Sequence, residues 1–570
     1  MSKDVDRDQL VYRLYEQLLE IEQRLIPVGM HVFGRASGEA ELADMLRMVA
    51  SFDRPEHGTR SLPDLICAGL NLPEYTVLLE ESLSSEERLQ QRERVESIAR
   101  MSIAEFISDG SDRAVQLLAQ KAAVPFGESQ KIFAFLSRIR EQLGVNVEMD
   151  SLMRALRGEY IEPGPGADII QNPDILPTGR NTHAINPYQI PSPAAVQKSK
   201  PIVAALLDRH LKEQGHYPES LAMVLWGMDN IKTQGEAVAQ ALWLLGVMPR
   251  RDSLNRATEI DITPLEQLGR PRIDVVMTVS GIFRDLFGPS MALLDQAVRA
   301  VASLDEPDEM NFVKRHVKEQ MATDGCSFED AAIRVFSNAA GVYGTNVNFM
   351  ILDSQWEKEE EIGDLFVTRK CFAYGRGLEG REARKLLDRA LERVEATYQN
   401  IDTAEIGITD VDHYFEYLGG ITRAVESRSG MRPKVYLSDT LSPGAKIRSL
   451  DEAVQLETRA KTLNPKWYEG MLKHGFRGVA EIESHVTNTF GWSATANAVD
   501  NWVYDEVART YILDEQMLNR LRELNPHSTR NLIGRMLEAQ GRGFWIASDS
   551  TLDRLRELFH NLEDELEGVR

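Results

Sequence analysis

Cysteine is nearly absent: Cys67, Cys326 and Cys371 are the only three in 570 residues, far apart and with no Cys-x-x-Cys pair. That spacing excludes a disulfide framework and a thiolate zinc or iron–sulfur centre. Basic charge is also short, since 65 Lys and Arg against 88 Asp and Glu leave a formal net charge of −23. Phosphate recognition depends on clustered Lys and Arg, so nucleic acid is not an expected partner, and an anionic membrane surface is disfavoured for the same reason. No apolar run approaches the ~18 residues of a membrane span. The opening Met-Ser-Lys-Asp-Val-Asp-Arg-Asp lacks the apolar stretch of a secretory signal. Nor does the chain carry a G-x-x-x-x-G-K-[ST], or a G-x-G-x-x-G after a strand-like run. ATP on a P-loop and NAD on a Rossmann turn are thereby excluded, and any ATP-driven step must borrow its motor from another subunit. These absences together predict a cytoplasmic soluble protein.

What is present is ordinary globular material, 43% hydrophobic and 27% charged, enough for several cores. Residues 8–26 read as an amphipathic helix through Leu10, Leu14, Leu18, Ile21 and Leu25, stopped by Pro27 and Gly29. A second helix follows Ser37, and a third, highly charged, runs from about Ser85 to Ile107 with Ile98, Met101, Ile103 and Phe106 as its apolar positions. Residues 1–157 are therefore expected to be mostly helical. From Gly158 to Pro193 the texture changes, with seven prolines in a few dozen residues. Such a stretch is either a linker or an ordered functional loop.

Strand and helix signals then alternate. Leu221–Trp226 is an apolar run followed by a helix from about Gly235 to Leu245; Ile273–Val279 is a second, followed by a helix from Leu286 to Val301; Lys434–Leu437 is a third. This alternation predicts a helix-rich α/β fold with a parallel-type core over residues 158–449. From about Leu450 to the end the chain reads as a helical C-terminal region, closing on Leu552, Leu555, Phe559, Leu562 and Leu566. Ligands of open parallel sheets sit beyond the carboxyl ends of the strands, where Gly227–Asn230 and Ser280–Asp285 fall.

Several segments carry candidate chemistry, each with a plainer alternative. Gly179–Pro193 sets Arg180, Asn181, His183, Asn186 and Tyr188 in a proline-fixed loop, which is either a ligand site or a solvated linker. Asp229, Lys232, Thr233 and Glu236 fall at i, i+3, i+4, i+7 spacing, as for a carboxylate pair holding a hard cation with Lys232 for an anionic group. Alternatively Thr233-Gln-Gly-Glu236 is a capping box, leaving Asp229 as the freer carboxylate. Arg284-Asp285 is a site pair or a simple ion pair. Asn338, Tyr343, Asn346 and Asn348 cap turns or line a polar pocket. Trp467, Trp492 and Trp502 cluster near His485, as a slot for a flat macrocycle or as a helical core with a satisfied histidine.

Taken together, the segments resemble one family, the large porphyrin-binding subunit of magnesium chelatase and its relative, the large cobaltochelatase subunit. The resemblance rests on Arg24-Leu-Ile-Pro-Val-Gly-Met-His-Val-Phe-Gly34, Thr178-Gly-Arg-Asn-Thr-His-Ala-Ile-Asn-Pro187, Trp226-Gly-Met-Asp-Asn-Ile-Lys-Thr-Gln-Gly-Glu236, Gly269-Arg-Pro-Arg-Ile-Asp274, Ser280-Gly-Ile-Phe-Arg-Asp-Leu-Phe287, Phe336-Ser-Asn-Ala-Ala-Gly341, Leu463-Asn-Pro-Lys-Trp-Tyr-Glu-Gly470 and Thr487-Asn-Thr-Phe-Gly-Trp-Ser-Ala-Thr495. The Thr-His-Ala form of the first loop looks like the magnesium branch. Family members are about twice this length, and the chain is similar to their C-terminal half. The family's upstream His-Gly followed by Glu-Trp has no match after His57-Gly58 or His474-Gly475. The resemblance thus implies a piece of a longer subunit, or a split or shortened one whose N-terminal half is separate.

The resemblance implies insertion of Mg²⁺, as substrate ion, into protoporphyrin IX on the way to chlorophyll or bacteriochlorophyll. It implies two partners: an AAA+ subunit that hydrolyses the ATP, and a subunit with an integrin-like domain. It places the protein in the cytoplasm, or in the chloroplast stroma of a plastid-bearing organism. The alternatives are cobalt insertion into a corrin precursor and a non-catalytic porphyrin-binding remnant. Mg²⁺ dehydrates reluctantly, and two pyrrole protons must be taken by a base. On these segments His183, His485 and Glu236 are the candidate catalytic groups, and Asp229 and Glu236 the candidate metal ligands. Arg180, Asn181, Lys232, Arg284, Asn338, Trp492 and Trp502 are the candidate substrate-binding residues.

Overall fold

The computed structural model describes residues 31–35, 38–54, 57–82, 85–166, 169–170, 172–183, 186–403, 406–440 and 446–569, with Val11, Leu14, Leu18 and Ile21 as isolated helical positions. The expected helix over 8–26 falls largely outside the described residues. Compactness divides the chain at Ala184/Ile185, rather than at the 157/158 and 449/450 boundaries read from the sequence. The proline-rich stretch up to that point belongs with the N-terminal helices, while the C-terminal helices share one body with the sheet.

The first unit is built from helices including Glu39–Ala50, Leu62–Gly69, Glu86–Asp109, Ser111–Ala122 and Phe126–Leu143. Their apolar stripes bury Leu46, Ile66, Ile98, Phe106, Leu118, Phe133 and Leu136 in a common core. The charged helix starts where the capping rule puts it: the Ser85 hydroxyl accepts from the Arg88 amide at 3.4 Å. Met101, expected on its apolar face, is exposed instead. Two short strands, β1 (Pro163–Pro165) and β2 (Asn181–His183), pair in parallel within the proline-rich stretch. Its described residues thus include a strand pair and are not a bare linker.

Among the described residues the second unit holds ten strands: β3 (Ser220–Leu225), β4 (Val247–Arg251), β5 (Ala257–Ile262), β6 (Asp274–Val279), β7 (Val335–Ser337), β8 (Phe372–Gly375), β9 (Leu378–Glu382), β10 (Ala396–Ile401), β11 (Lys434–Asp439) and β12 (Lys446–Ser449). Eight form one sheet in the order β12-β11-β10-β3-β6-β7-β8-β9; β4 and β5 form a separate hairpin. The run β11-β10-β3-β6-β7 is parallel, with antiparallel strands at both edges. The fold is therefore α/β and helix-rich, as the sequence pattern predicts.

Burial on both faces explains why the central strands read as continuous apolar runs. Along β3, Leu221, Met223 and Leu225 join Leu206, Val238, Leu242 and Leu294 on one face. Ala222 and Val224 join Ile421, Trp467, Phe490, Trp492 and Leu555 on the other. The helices of residues 450–569 thus supply the cover for the second face.

Candidate functional site at the carboxyl ends of the strands

Chain order reverses at β3: the chain leaves it toward β6 and β7, then returns on its other side as β10 and β11. At such a switch point the loops beyond the carboxyl ends diverge and leave a crevice. Here the β3–β10 ladder ends at Tyr398↔Met223, so Gln399, Asn400 and Ile401 continue paired to β11 alone. On the β6 side the loops close instead. The Gly227 amide donates to Ser280 Oγ at 3.1 Å, and a Cβ at Gly227 would stand 2.8 Å from the Phe283 nitrogen.

Across the β3–β10 gap three contacts join the two loops. Trp226 Nε1 donates to Gln399 Oε1 at 3.0 Å, Asn400 Nδ2 lies 3.5 Å from Asp229 Oδ2, and Lys232 Nζ stands 3.0 Å from Asp402 Oδ2. Burial pushes the Asp229 carboxyl well above the usual carboxylate range, and the nearby Asp402 and Glu236 carboxylates push it further. Glu236 is raised too, chiefly by burial, with Lys198 opposing at 2.9 Å. Its Oε2 is buried with no hydrogen-bond partner among the described residues, and so is Gln399 Nε2. Unpaired buried polar atoms are uncommon in folded proteins, and these two sit on the segments that follow β3 and form β10. A buried carboxyl whose proton affinity is raised is suited to proton transfer, and the same oxygens suit a hard cation.

The structure corrects the local reading of this loop. Asp229 to Glu236 is not one helix: Gly227–Lys232 ends at Thr233, and Glu236–Leu244 starts anew. Nor is there a capping box. Thr233 Oγ1 accepts from the Glu236 amide at 3.2 Å, but the Glu236 carboxylate turns to Lys198 rather than back to its helix start.

A second buried network lies beyond the same sheet end. His485 Nε2 contacts Asp410, which also pairs with Lys461. His485 Nδ1 is 3.2 Å from Thr409 Oγ1, whose hydroxyl donates to Glu457 at 2.7 Å. Burial alone would raise Asp410, but the His485 hydrogen bond and the His485 and Lys461 charges outweigh it and hold the carboxyl well below its usual range. Both ring nitrogens of His485 are engaged inside this network, with Trp467 packed edge-on at 4.4 Å. Tyr414 adjoins both clusters: burial raises its phenol, and Asp402, Asp229, Glu457 and Asp410 add to the shift.

The remaining candidates are placed as follows. Arg284 Nη1 donates to the carbonyls of Ala339 and Val342 at 2.7 and 2.8 Å, and its Nε to Asp285 at 2.7 Å. Asn338 is fully buried and donates to Gly344 O. Both residues hold the loop after β7. Trp492 is fully buried, with Nε1 donating to Ile408 O at 2.9 Å. Trp502 is half-buried under the Arg459 guanidinium, 4.2 Å above its ring. Trp492 is thus core rather than a slot wall. Arg180 and Asn181 are exposed in the first unit, and the His183 backbone lies in β2, its side chain outside the described residues. The crevice brings together Asp229, Lys232 and Glu236 from the sequence candidates. It adds Asp402, Gln399, Asn400 and Lys198, which the sequence reading missed.

A family profile described as CobN/Magnesium Chelatase matches residues 1–552. The chain belongs to the CobN/magnesium chelatase family. Within that family it is 43% identical over 599 residues to the magnesium-chelatase subunit ChlH, chloroplastic, of Oryza sativa subsp. japonica, covering 99% of this chain and 43% of that protein. It is 40% identical to the magnesium-chelatase H subunit of Chlorobaculum parvum, covering 98% of this chain and 45% of the relative. Among solved structures, the catalytic subunit of cobaltochelatase from Mycobacterium tuberculosis matches with a TM-score of 0.90 at 31% identity, over 99% of this chain and 47% of that one. The chain therefore spans less than half the length of the chelatase subunits it matches. No helix among the described residues is long and apolar enough to cross a membrane.

Proposed function

We propose that the chain is the C-terminal part of a chelatase large subunit that inserts Mg²⁺ into protoporphyrin IX, in chlorophyll or bacteriochlorophyll synthesis. The observation that carries the reading is the β3–β10 crevice, where Asp229 lies beside the Asp402 and Glu236 carboxylates, Lys232 pairs with Asp402 and Lys198 with Glu236. Mg²⁺ gives up water reluctantly, and oxygen ligands of rising basicity replace it best. Asp229 and Glu236 take the metal-ligand role, and a carboxyl shifted upward is suited to accept a pyrrole proton. Lys232 serves a propionate, and Trp226 takes the apolar wall assigned from sequence to Trp492 and Trp502. In the first unit, Arg180 and Asn181 remain candidate propionate donors and His183 the candidate base of the proline-rich loop. His485 acts by holding the Asp410 network.

The ATP is hydrolysed by an AAA+ subunit, coupled through a subunit with an integrin-like domain. The compartment is the cytoplasm, or the stroma in a plastid. Identity near 43% to a magnesium-chelatase relative supports Mg²⁺. The cobalt reading, insertion into a corrin precursor, is favoured by the backbone match to the cobaltochelatase subunit. Titration of tryptophan emission with protoporphyrin IX and, separately, with a corrin precursor tests both. Quenching by the porphyrin alone, reduced in Trp226→Phe, supports the first reading. Response to the corrin alone supports the second, and response to neither leaves the chain without a tetrapyrrole site of its own.

A further inference from the structure

At the opposite, amino-terminal end of β3 and β10, three side chains converge that the candidate site does not use. His210 lies near the end of the helix Pro193–Gln214, His216 precedes β3, and Glu395 immediately precedes β10. One ligand atom from each lies within 4.8 Å of the others. His210 Nε2 and His216 Nδ1 are each 3.8 Å from Glu395 Oε2.

His210 is 1% exposed, and its Nε2 has no hydrogen-bond partner among the described residues. Its protonation follows from the neighbours. The Tyr436 hydroxyl donates to Glu213 Oε2 at 2.8 Å, so its oxygen accepts from His210 Nδ1 at 3.4 Å. The proton on Nδ1 leaves a lone pair on Nε2, pointing toward a carboxylate oxygen at a distance too long for a hydrogen bond. Glu395 Oε2 is partly buried and also accepts from the Glu219 amide at 3.2 Å, and a cation between it and the buried Nε2 stabilises both electron-rich atoms. The carboxylate–tyrosine–histidine chain is also the kind of outer support that orients a metal-ligating imidazole.

We propose that His210, His216 and Glu395 form a binding site for a borderline divalent transition-metal ion of the Zn²⁺ class. Two imidazole nitrogens and one carboxylate oxygen are the donor set such an ion prefers, and Mg²⁺ does not. Bonds of about 2.0–2.2 Å imply ligand–ligand edges of roughly 3.4 Å in a tetrahedron, so the observed 3.8 Å spacings close by a few tenths of an ångström. His216 Nδ1 gives up its 2.9 Å contact with the Tyr217 carbonyl to bind. The exposed side of His216 leaves the fourth position to water. The ion would staple the helix Pro193–Gln214 to the starts of β3 and β10, the two strands whose far ends form the crevice. It is distinct from the substrate ion in both place and donor chemistry.

The test uses the 570-residue chain, Zn²⁺ alone and a chromophoric chelator as competitor. The expected result is one Zn²⁺ per chain that excess Mg²⁺ does not displace, weakened at least ~10-fold in both His216→Ala and Glu395→Gln. X-ray absorption at the zinc edge is expected to show two imidazoles bound to the metal. Equal Zn²⁺ affinity in wild type and variants, or an all-oxygen coordination shell, overturns the proposal. Should Glu395→Gln not fold by circular dichroism, the exposed His216→Ala decides alone.

Discussion

Lys232 Nζ lies 3.0 Å from Asp402 Oδ2, and this ion pair joins the loop after β3 to the loop after β10 across the place where their ladder has ended. The charge balance around it is poor: Asp229 and Glu236 share the same neighbourhood, and both carboxyls are pushed upward. A site arranged this way sacrifices stability for groups that bind a cation or move a proton.

Asp229→Asn is therefore expected to stabilise the fold by about 1 kcal/mol at neutral pH while lowering metal insertion in a reconstituted complex by about 10²-fold. The sign follows from linkage. A carboxyl whose folded value is raised is fully protonated in both states at low pH; stability is lost as pH rises from about 4, the unfolded value, toward the raised folded value. The gain in Asp229→Asn is thus present at pH 7 and absent near pH 3. Thermal melts of both proteins at the two pH values check it, and a destabilised variant at pH 7 would count against a buried, unfavourable charge.

Lys232→Met is expected to destabilise by about 3 kcal/mol, the scale for removing one partner of a largely buried pair. The double variant with Asp402→Asn recovers part of that loss, because the buried Asp402 charge is removed along with its Lys232 partner. Urea melts of the four proteins in the cycle give the coupling energy directly. Additive single effects would show that the pair is not an energetic unit.

The sequence displays this crevice only in half. β3, β6 and β11 are legible because both faces of the sheet are covered, so their residues form apolar runs. β10, Ala396-Thr-Tyr-Gln-Asn-Ile401, is equally central but carries Thr397, Gln399 and Asn400, which pair with Thr422, Trp226 and the Asp229 loop. Its polarity comes from lining the site, and it hides the strand from a hydrophobic pattern. Asp402 is invisible for the same reason, although it stands directly beyond that strand. The Glu236 capping reading fails because Gly235, at φ +92°, turns the chain between two helices, and the buried Glu236 carboxylate finds Lys198 instead. In sequence, Trp492 and His485 fit either a slot or a core. Trp492 is core, since its indole proton goes to a backbone carbonyl that only tertiary folding supplies.

Asp410→Asn is expected to lose about 3 kcal/mol, since it leaves His485 and Lys461 without their shared carboxylate. Asp410 is held below its usual range by His485 and Lys461, against the pull of burial. Its contribution is present above the ordinary carboxyl value near 4 and is lost as pH falls below it. The wild type is therefore expected to lose stability on acidification below about pH 4 more steeply than the variant. Parallel melts between pH 3 and pH 6 that show identical slopes would remove Asp410 from the network's energetics.

Thr233→Ala and Glu236→Gln separate a capping role from a ligand role in the same turn. The Thr233 hydroxyl accepts from the Glu236 amide and donates to the Asp229 carbonyl at 2.8 Å, so its removal is expected to destabilise by about 1 kcal/mol and to lower activity only modestly. Glu236→Gln keeps the shape, drops a carboxylate that burial disfavours, and is expected to leave stability within about 0.5 kcal/mol. Metal affinity is where it should fail: the Mg²⁺ concentration for half-maximal insertion is expected to rise about tenfold, because a neutral amide oxygen replaces a charged one. Thermal midpoints and Mg²⁺ titrations of the two variants decide the matter. If Glu236→Gln unfolds the protein and Thr233→Ala weakens Mg²⁺ dependence, the assignment of the two side chains is reversed.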